Sequence, residues 1–145
     1  MNAGSEAFID SDVVISSLLS DRGAAYLLLS NYTEHCIVSS QSVEELERVV
    51  TGEKLSLTEL QHRLLGIRTV PLGLTTEECA QRYAQFVLDP NDAHIIAGAV
   101  IAKARFLITY NVKDYVDTLI KNKLGVVVLR PGNYLQYVRF LESNR

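Results

Sequence analysis

At 145 residues, 48% of them hydrophobic and 21% charged, the chain has the size and composition of one globular domain with its own core. No apolar stretch approaches the roughly 20 residues that a membrane-spanning helix needs, and Cys36 and Cys79, without Cys-x-x-Cys spacing, make no disulfide framework. The net charge of −3 excludes nucleic-acid binding driven by bulk positive charge, while leaving nucleic acid open as a substrate held through cations.

Residues 1–6 have neither the basic nor the apolar region of a signal peptide, and a cytoplasmic protein is expected. The first β-type run is Ala7–Ile9, which ends in Asp10-Ser11-Asp12. Helical patterns over 13–19 and 24–29 follow, separated by a break at Asp21-Arg22-Gly23. Cys36–Ser39 is the second β-type run. Residues 43–50 read as a helix with Val43, Leu46, Val49 and Val50 on one face, and Ser42 and Glu45 fit a capping box at its start. Amphipathic helices are expected over 57–65, capped by Ser56 or Thr58, and over 76–87, capped by Thr75. Between them, 67–72 is β-type but contains Pro71, so it reads as an edge strand or loop. Asp89-Pro90 fits an N-cap followed by proline, and 92–104 reads as an Ala-rich helix apolar on most sides, hence buried. A β-type run over 106–109, a short helix over 116–121, a run over 126–129 and a last helix over 134–141 complete the chain. Residues 1–5 and 143–145 are expected to fray. Strands alternating with helices imply a single domain, 1–145, of α/β class: three layers, α/β/α, around a parallel sheet of four to five strands.

Four places put polar or acidic groups just after a β-type run or at a helix start: Asp10 with Asp12, Glu45, Asp92, and the segment Thr109-Tyr110-Asn111-Val112-Lys113-Asp114. Each carboxylate taken singly fits helix capping. Together they imply more, because a parallel sheet gathers its post-strand positions on one edge, where ligands bind. Carboxylates gathered there repel one another unless a cation joins them, and such a cluster suits metal-assisted phosphoryl hydrolysis. No Gly-rich phosphate loop and no Ser–His–Asp or Cys–His arrangement competes. His35, His62 and His94 lie too far apart for a zinc pair and read as structural.

These segments resemble the motifs of PIN domains. Asp10-Ser11-Asp12-Val13-Val14-Ile15 resembles their opening Asp-Thr-Asn-Val-Leu-Ile, and Glu45-Leu46-Glu47-Arg48-Val49 their Glu-Leu-x-x-Val. Asp89-Pro90-Asn91-Asp92 and the segment 104–115 resemble the third and fourth motifs, and Val128-Leu129-Arg130-Pro131 with Tyr134-Leu135 the usual ending. The resemblance covers nearly the whole chain. It implies a Mg²⁺- or Mn²⁺-dependent endoribonuclease, with Asp10, Glu45 and Asp92 as metal ligands. Such proteins are often the toxin of a toxin–antitoxin pair, with an antitoxin partner, and often homodimers. Asn111 falls where many members carry a fourth Asp, with Asp114 three residues on, and both join the expected catalytic set. Ser11, Asp12 and Thr109 are expected in support, Asp12 adding a charge that compensates for Asn111. Arg22 and Lys113, each close behind an acidic motif, are the expected RNA phosphate contacts. Tyr110 and Tyr115 fit base stacking or core packing equally.

Two other readings stand beside this one. Asp10-Ser11-Asp12-Val13-Val14 also matches the Asp-x-Asp opening of haloacid-dehalogenase-type phosphatases, with Asp10 as nucleophile and Asp12 as general acid/base. That reading leaves Glu45 and the helix start at 89–92 without a role. The last reading keeps the PIN-like fold as an RNA- or protein-binding module with weakened catalysis, which Asn111 and the negative net charge favour.

Overall fold

The computed structural model describes residues 4–144. Five short strands, β1 (Ala7–Ile9), β2 (Cys36–Ser39), β3 (Arg68–Val70), β4 (Phe106–Ile108) and β5 (Val127–Leu129), form one sheet in the order β3-β2-β1-β4-β5. Every pairing is parallel, so each connection crosses over, and helices supply the crossovers. They are α1 (Ser11–Leu19), α2 (Ala24–Asn31), α3 (Ser40–Gly52), α4 (Leu57–Leu64), α5 (Thr76–Tyr83), α6 (Ala93–Ile101) and α7 (Asp117–Leu124), with α8 (Pro131–Ser143) closing the chain. This is the three-layer α/β/α arrangement read from the alternating pattern.

The two-residue period of the strands divides the core. Ala7 and Ile9 of β1 face Val13, Leu28, Leu46 and Tyr134, on α1, α2, α3 and α8. Phe8 faces the other way, toward Ile95 and Ile96 of α6, Leu107 of β4 and Ile120 of α7. Both faces of β1 are wholly buried, which is why it reads as an unbroken apolar run. Helix α6 is buried continuously from Ala93 to Ala99, and at Gly98 its backbone lies directly against the Phe8 ring.

Several boundaries differ from the sequence pattern, each for a local reason. Helix α3 starts at Ser40 because Ser39 is its cap, accepting from the Ser42 N–H at 3.0 Å. The expected Ser42–Glu45 capping box is therefore not formed, which leaves the Glu45 carboxylate to another partner. Thr75 does form such a box with Glu78, by reciprocal bonds of 3.0 and 3.1 Å. The helix expected over 76–87 stops at Tyr83, and a 3-10 turn, Ala84–Phe86, follows. Beyond it the chain is drawn into an extended path: Val87 bridges Tyr115, the Leu88 N–H donates to the Asp114 carbonyl and the Val116 N–H to the Phe86 carbonyl, both at 2.9 Å.

The helix expected over 92–104 opens as a 3-10 turn, Pro90–Asp92, capped by Asp89 on the Asn91 N–H, and its α-helical part ends at Ile101. Residues 67–72 supply β3, an edge strand that ends before Pro71. Helix α8 begins at Pro131, ahead of the expected Tyr134, with proline in its first turn. Of the residues expected to fray, 1–3 and 145 lie outside the described residues. Ser5 is buried, and its carbonyl accepts from the buried Tyr134 hydroxyl. Among the described residues, no single helix is long and apolar enough to cross a membrane.

The Gly98–Phe8 contact makes a direct test of the packing. A methyl group at Gly98 would overlap the Phe8 ring, which is wholly buried and has nowhere to move. Gly98→Ala is expected to cost about 1–3 kcal/mol, read as a lower urea midpoint with an unchanged slope.

Candidate active site

The register of β1 against β4 sets the site. Ile9 pairs with Ile108, so the residues that leave the two strands emerge side by side, and the Asp10 N–H donates to the Ile108 carbonyl at 2.9 Å. Asp10 caps α1, its Oδ1 accepting from the Ser11 N–H at 2.7 Å. Its Oδ2 accepts from the Tyr115 hydroxyl at 2.7 Å and the Thr109 hydroxyl at 3.0 Å. Thr109 is fully buried, and its oxygen also accepts from the Asn111 N–H at 3.0 Å.

Asp12, one residue into α1, is held by the segment after β4. Its Oδ2 accepts from the Tyr110 N–H and from Asn111 Nδ2, each at 3.0 Å, with the Thr109 hydroxyl further off at 3.4 Å. Its Oδ1 is buried and has no hydrogen-bond partner among the described residues, and the same holds for the Ser11 hydroxyl.

The carboxyl groups bear the cost of this crowding. Burial raises Asp10, against the hydrogen bonds from Tyr115, Thr109 and Ser11 that favour its charge. Burial and then the neighbouring Asp10 push Asp12 up to about 6. Asp92, at the end of the turn before α6, is also pushed up to about 6, by burial and then by Asp10, Asp89 and Asp114. Asp10, Asp12, Asp92 and Asp114 thus share one electrostatic neighbourhood.

Glu45 stands differently. Its Oε1 meets Nε2 of His94 at 3.2 Å, and this contact holds the Glu45 carboxyl below the usual range. His94 is the second residue of α6, two past Asp92, and is only 5% exposed. Among the described residues, no three histidine, cysteine or carboxylate side chains are gathered closely enough in this conformation to hold a metal ion.

The remaining expected residues are placed unequally. Lys113 lies exposed in the 3-10 turn Val112–Asp114, between Asn111 and Asp114. Arg22 lies exposed beyond the far end of α1, so that helix carries it about 14 Å from Asp10 along its axis. The apolar faces of α1 and α2 are largely core, through Val13, Val14, Ala25, Leu28 and Leu29. Three residues gain roles that the sequence reading did not give them. Tyr115 is buried and aims its hydroxyl at Asp10. His94 orients Glu45. Arg130, exposed at the end of β5, donates from Nη1 to the Tyr110 carbonyl at 2.8 Å. The signal for Arg130 was present, since it too is a post-strand residue.

A family model described as PIN domain matches residues 6–113. The chain belongs to the PIN-domain family. That assignment displaces the phosphatase reading of Asp10. No curated protein sequence gives a significant match. Among solved structures, a DNA-bound VapBC from Salmonella typhimurium is similar at a TM-score of 0.61 and 12% identity, over 87% of this chain and 98% of that one. A toxin–antitoxin complex from Klebsiella pneumoniae gives 0.59 and 21%, over 84% and 96%. Mycobacterium tuberculosis VapC20, described as a Sarcin-Ricin loop cleaving toxin, gives 0.52 and 13%, over 70% and 87%. At these identities the structural likeness speaks for the fold.

PIN nucleases generally use divalent metals. The donors at this edge fit such a cation in their chemistry: they are hard carboxylate oxygens, and one, Oδ1 of Asp12, is buried without a partner. The raised carboxyl groups have the sign expected of a site whose charge lacks compensation.

This sign is testable without any cation. The folded-state pKa of Asp92 lies above its ordinary 3.8, so the fold binds that proton more tightly than the unfolded chain does. The stabilisation from this group is full below the ordinary carboxylate pKa and is lost as pH rises through about 6. In the presence of a chelator at neutral pH, Asp92→Asn should therefore be more stable than wild type. After discounting for its partial exposure, the gain is about 1 kcal/mol. Thermal melts should show it shrinking to nothing as the pH falls below the ordinary carboxylate pKa.

Proposed function

We propose that the chain is a metal-dependent ribonuclease that hydrolyses RNA phosphodiester bonds, and that it is the toxin of a type II toxin–antitoxin pair. The observation that carries this reading is the convergence of Asp10, Asp12, Asp92 and Asp114 on one edge of a PIN-fold sheet. The similarity to toxin–antitoxin complexes, and to a toxin described as cleaving the Sarcin-Ricin loop, supports the toxin assignment.

Asp10, Glu45 and Asp92 would hold Mg²⁺ or Mn²⁺, with Asp114 adding charge. A cation bound there supplies Lewis-acid polarisation of the phosphoryl oxygen and a more acidic water. The chain's own residues prepare the site. Thr109 and Tyr115 fix the rotamer of Asp10 through its Oδ2. His94 keeps Glu45 ionised at the rim. Lys113 and Arg130, exposed on the same edge, are the cations available to RNA phosphates, while Arg22 is set apart from them by the length of α1. Leu19 at the end of α1 and Leu65 just past α4 are about two-thirds exposed, and α1 packs against α4. Such exposed leucines suit contact with a second copy of the chain or an antitoxin.

The assay is cleavage of RNA with Mn²⁺ present and then chelated. Cleavage is expected to need the metal and to fall to background in Asp10→Asn and in Asp92→Asn. Tyr115→Phe, which only loosens Asp10, should retain cleavage at about one-tenth of the wild-type rate. Persistence of cleavage in both Asp variants would sink the assignment to this site. Tight RNA binding by wild type without any turnover would favour the binding-module reading, to which Asn111 lends support.

A further inference from the structure

We propose that Asp12 is itself a ligand of the cation, and that Asn111 is the neutral residue that positions it. This rests on reading the edge as a cation site. The two oxygens of Asp12 are treated unequally. Oδ2 takes every donor available: the Tyr110 N–H, Asn111 Nδ2 and, more distantly, the Thr109 hydroxyl. Oδ1 is buried and makes no hydrogen bond of ordinary geometry among the described residues, with only the Val13 N–H near enough to favour the carboxylate's charge.

A purely structural first-turn carboxylate is accounted for by Oδ2 alone, which ties α1 to the segment after β4. A side-chain amide would do as much, since its carbonyl oxygen also accepts from Tyr110 and Asn111. What an amide lacks is the charge. The fold instead places a second carboxylate two residues from Asp10, both of them reached by the Thr109 hydroxyl, at 3.0 Å from Asp10 and 3.4 Å from Asp12. An unpartnered anionic oxygen in that position has one natural complement, a cation.

Asn111 is matched to this carboxylate. A carboxylate at that position would face Oδ2 of Asp12 across 3.0 Å and repel it, whereas the amide donates to it. The pair therefore works with one charge and one amide, and here the charge sits on α1. The same bond drawn with the roles exchanged, Asn at 12 and Asp at 111, keeps both the contact and the total charge.

Mn²⁺ calorimetry on folded protein, with thermal melts as the control, tests the proposal. Asp12→Asn should melt no lower than wild type in chelator, yet bind Mn²⁺ about tenfold or more weakly. The exchange variant Asp12→Asn with Asn111→Asp should recover binding to within about threefold of wild type, by keeping the charge count. Asp12→Cys should gain a Cd²⁺–thiolate absorption band, absent from wild type, because a soft thiolate selects a soft metal. If wild type binds Mn²⁺ and Asp10→Asn does not, while Asp12→Asn binds as wild type does, the cation site stands and the role of Asp12 is overturned. Failure of Asp12→Cys to show the band would overturn direct ligation. Absence of Mn²⁺ binding by wild type would overturn the site itself.

Discussion

The parallel pairing of β1 with β4 is the constraint on which the site depends. It aligns Ile9 with Ile108, so that Asp10 and Thr109 leave the sheet as neighbours although 99 residues apart in the chain. The remaining contacts elaborate that adjacency. Asp10 caps α1 while bonded to Thr109 and Tyr115, and Asp12 reaches the backbone and side chain that follow Thr109. A shift of one residue in the β1–β4 register would turn every side chain of β1 to the opposite face and break both the core and the site. The core and the candidate site therefore depend on the same strand register.

The site works against the fold that carries it. Three carboxyl groups, on Asp10, Asp12 and Asp92, are each harder to ionise than in water, and burial is the first cause in every case. Hydrogen-bond donors offset part of this at Asp10 and at one oxygen of Asp12. The rest is a cost to stability at neutral pH. Such local conflicts between stability and charge are expected at functional positions, where the arrangement serves a ligand rather than the fold.

Much of this was legible in the chain. β1, β2 and β4 are short apolar runs because a parallel sheet covered on both faces buries them whole, and the acidic residues behind them follow from the topology. What escaped the sequence was decided by competition or by distance. Ser39 and Ser42 are both good caps one turn apart, and the choice between them frees or binds Glu45. Helix α5 ends early because the chain at 86–88 pairs with 114–116, a long-range preference that no local pattern encodes. The bond between Tyr115 and Asp10 spans 105 residues, so a Tyr beside the fourth motif read equally well as a stacking residue or a core residue. Arg22 shows how spacing changes in the fold: a nine-residue helix turns its closeness in sequence to Asp10 into about 14 Å along the axis.

The short pairing of 86–88 with 114–116 has a mechanical consequence. It clasps the segment just before Asp92 to the segment that carries Asp114 and Tyr115, through the two main-chain bonds that make the Val87–Tyr115 bridge. Tyr115 is in turn bonded to Asp10, whose backbone is locked to β4. The backbone behind Asp92, Asp114 and Asp10 is therefore tied together. Glu45 comes from the far side of β1, on α3 after β2, and reaches His94, two residues past Asp92. The contact between Glu45 and His94 therefore joins the helix that follows β2 to the helix that begins just past Asp92, across the edge where β1 ends.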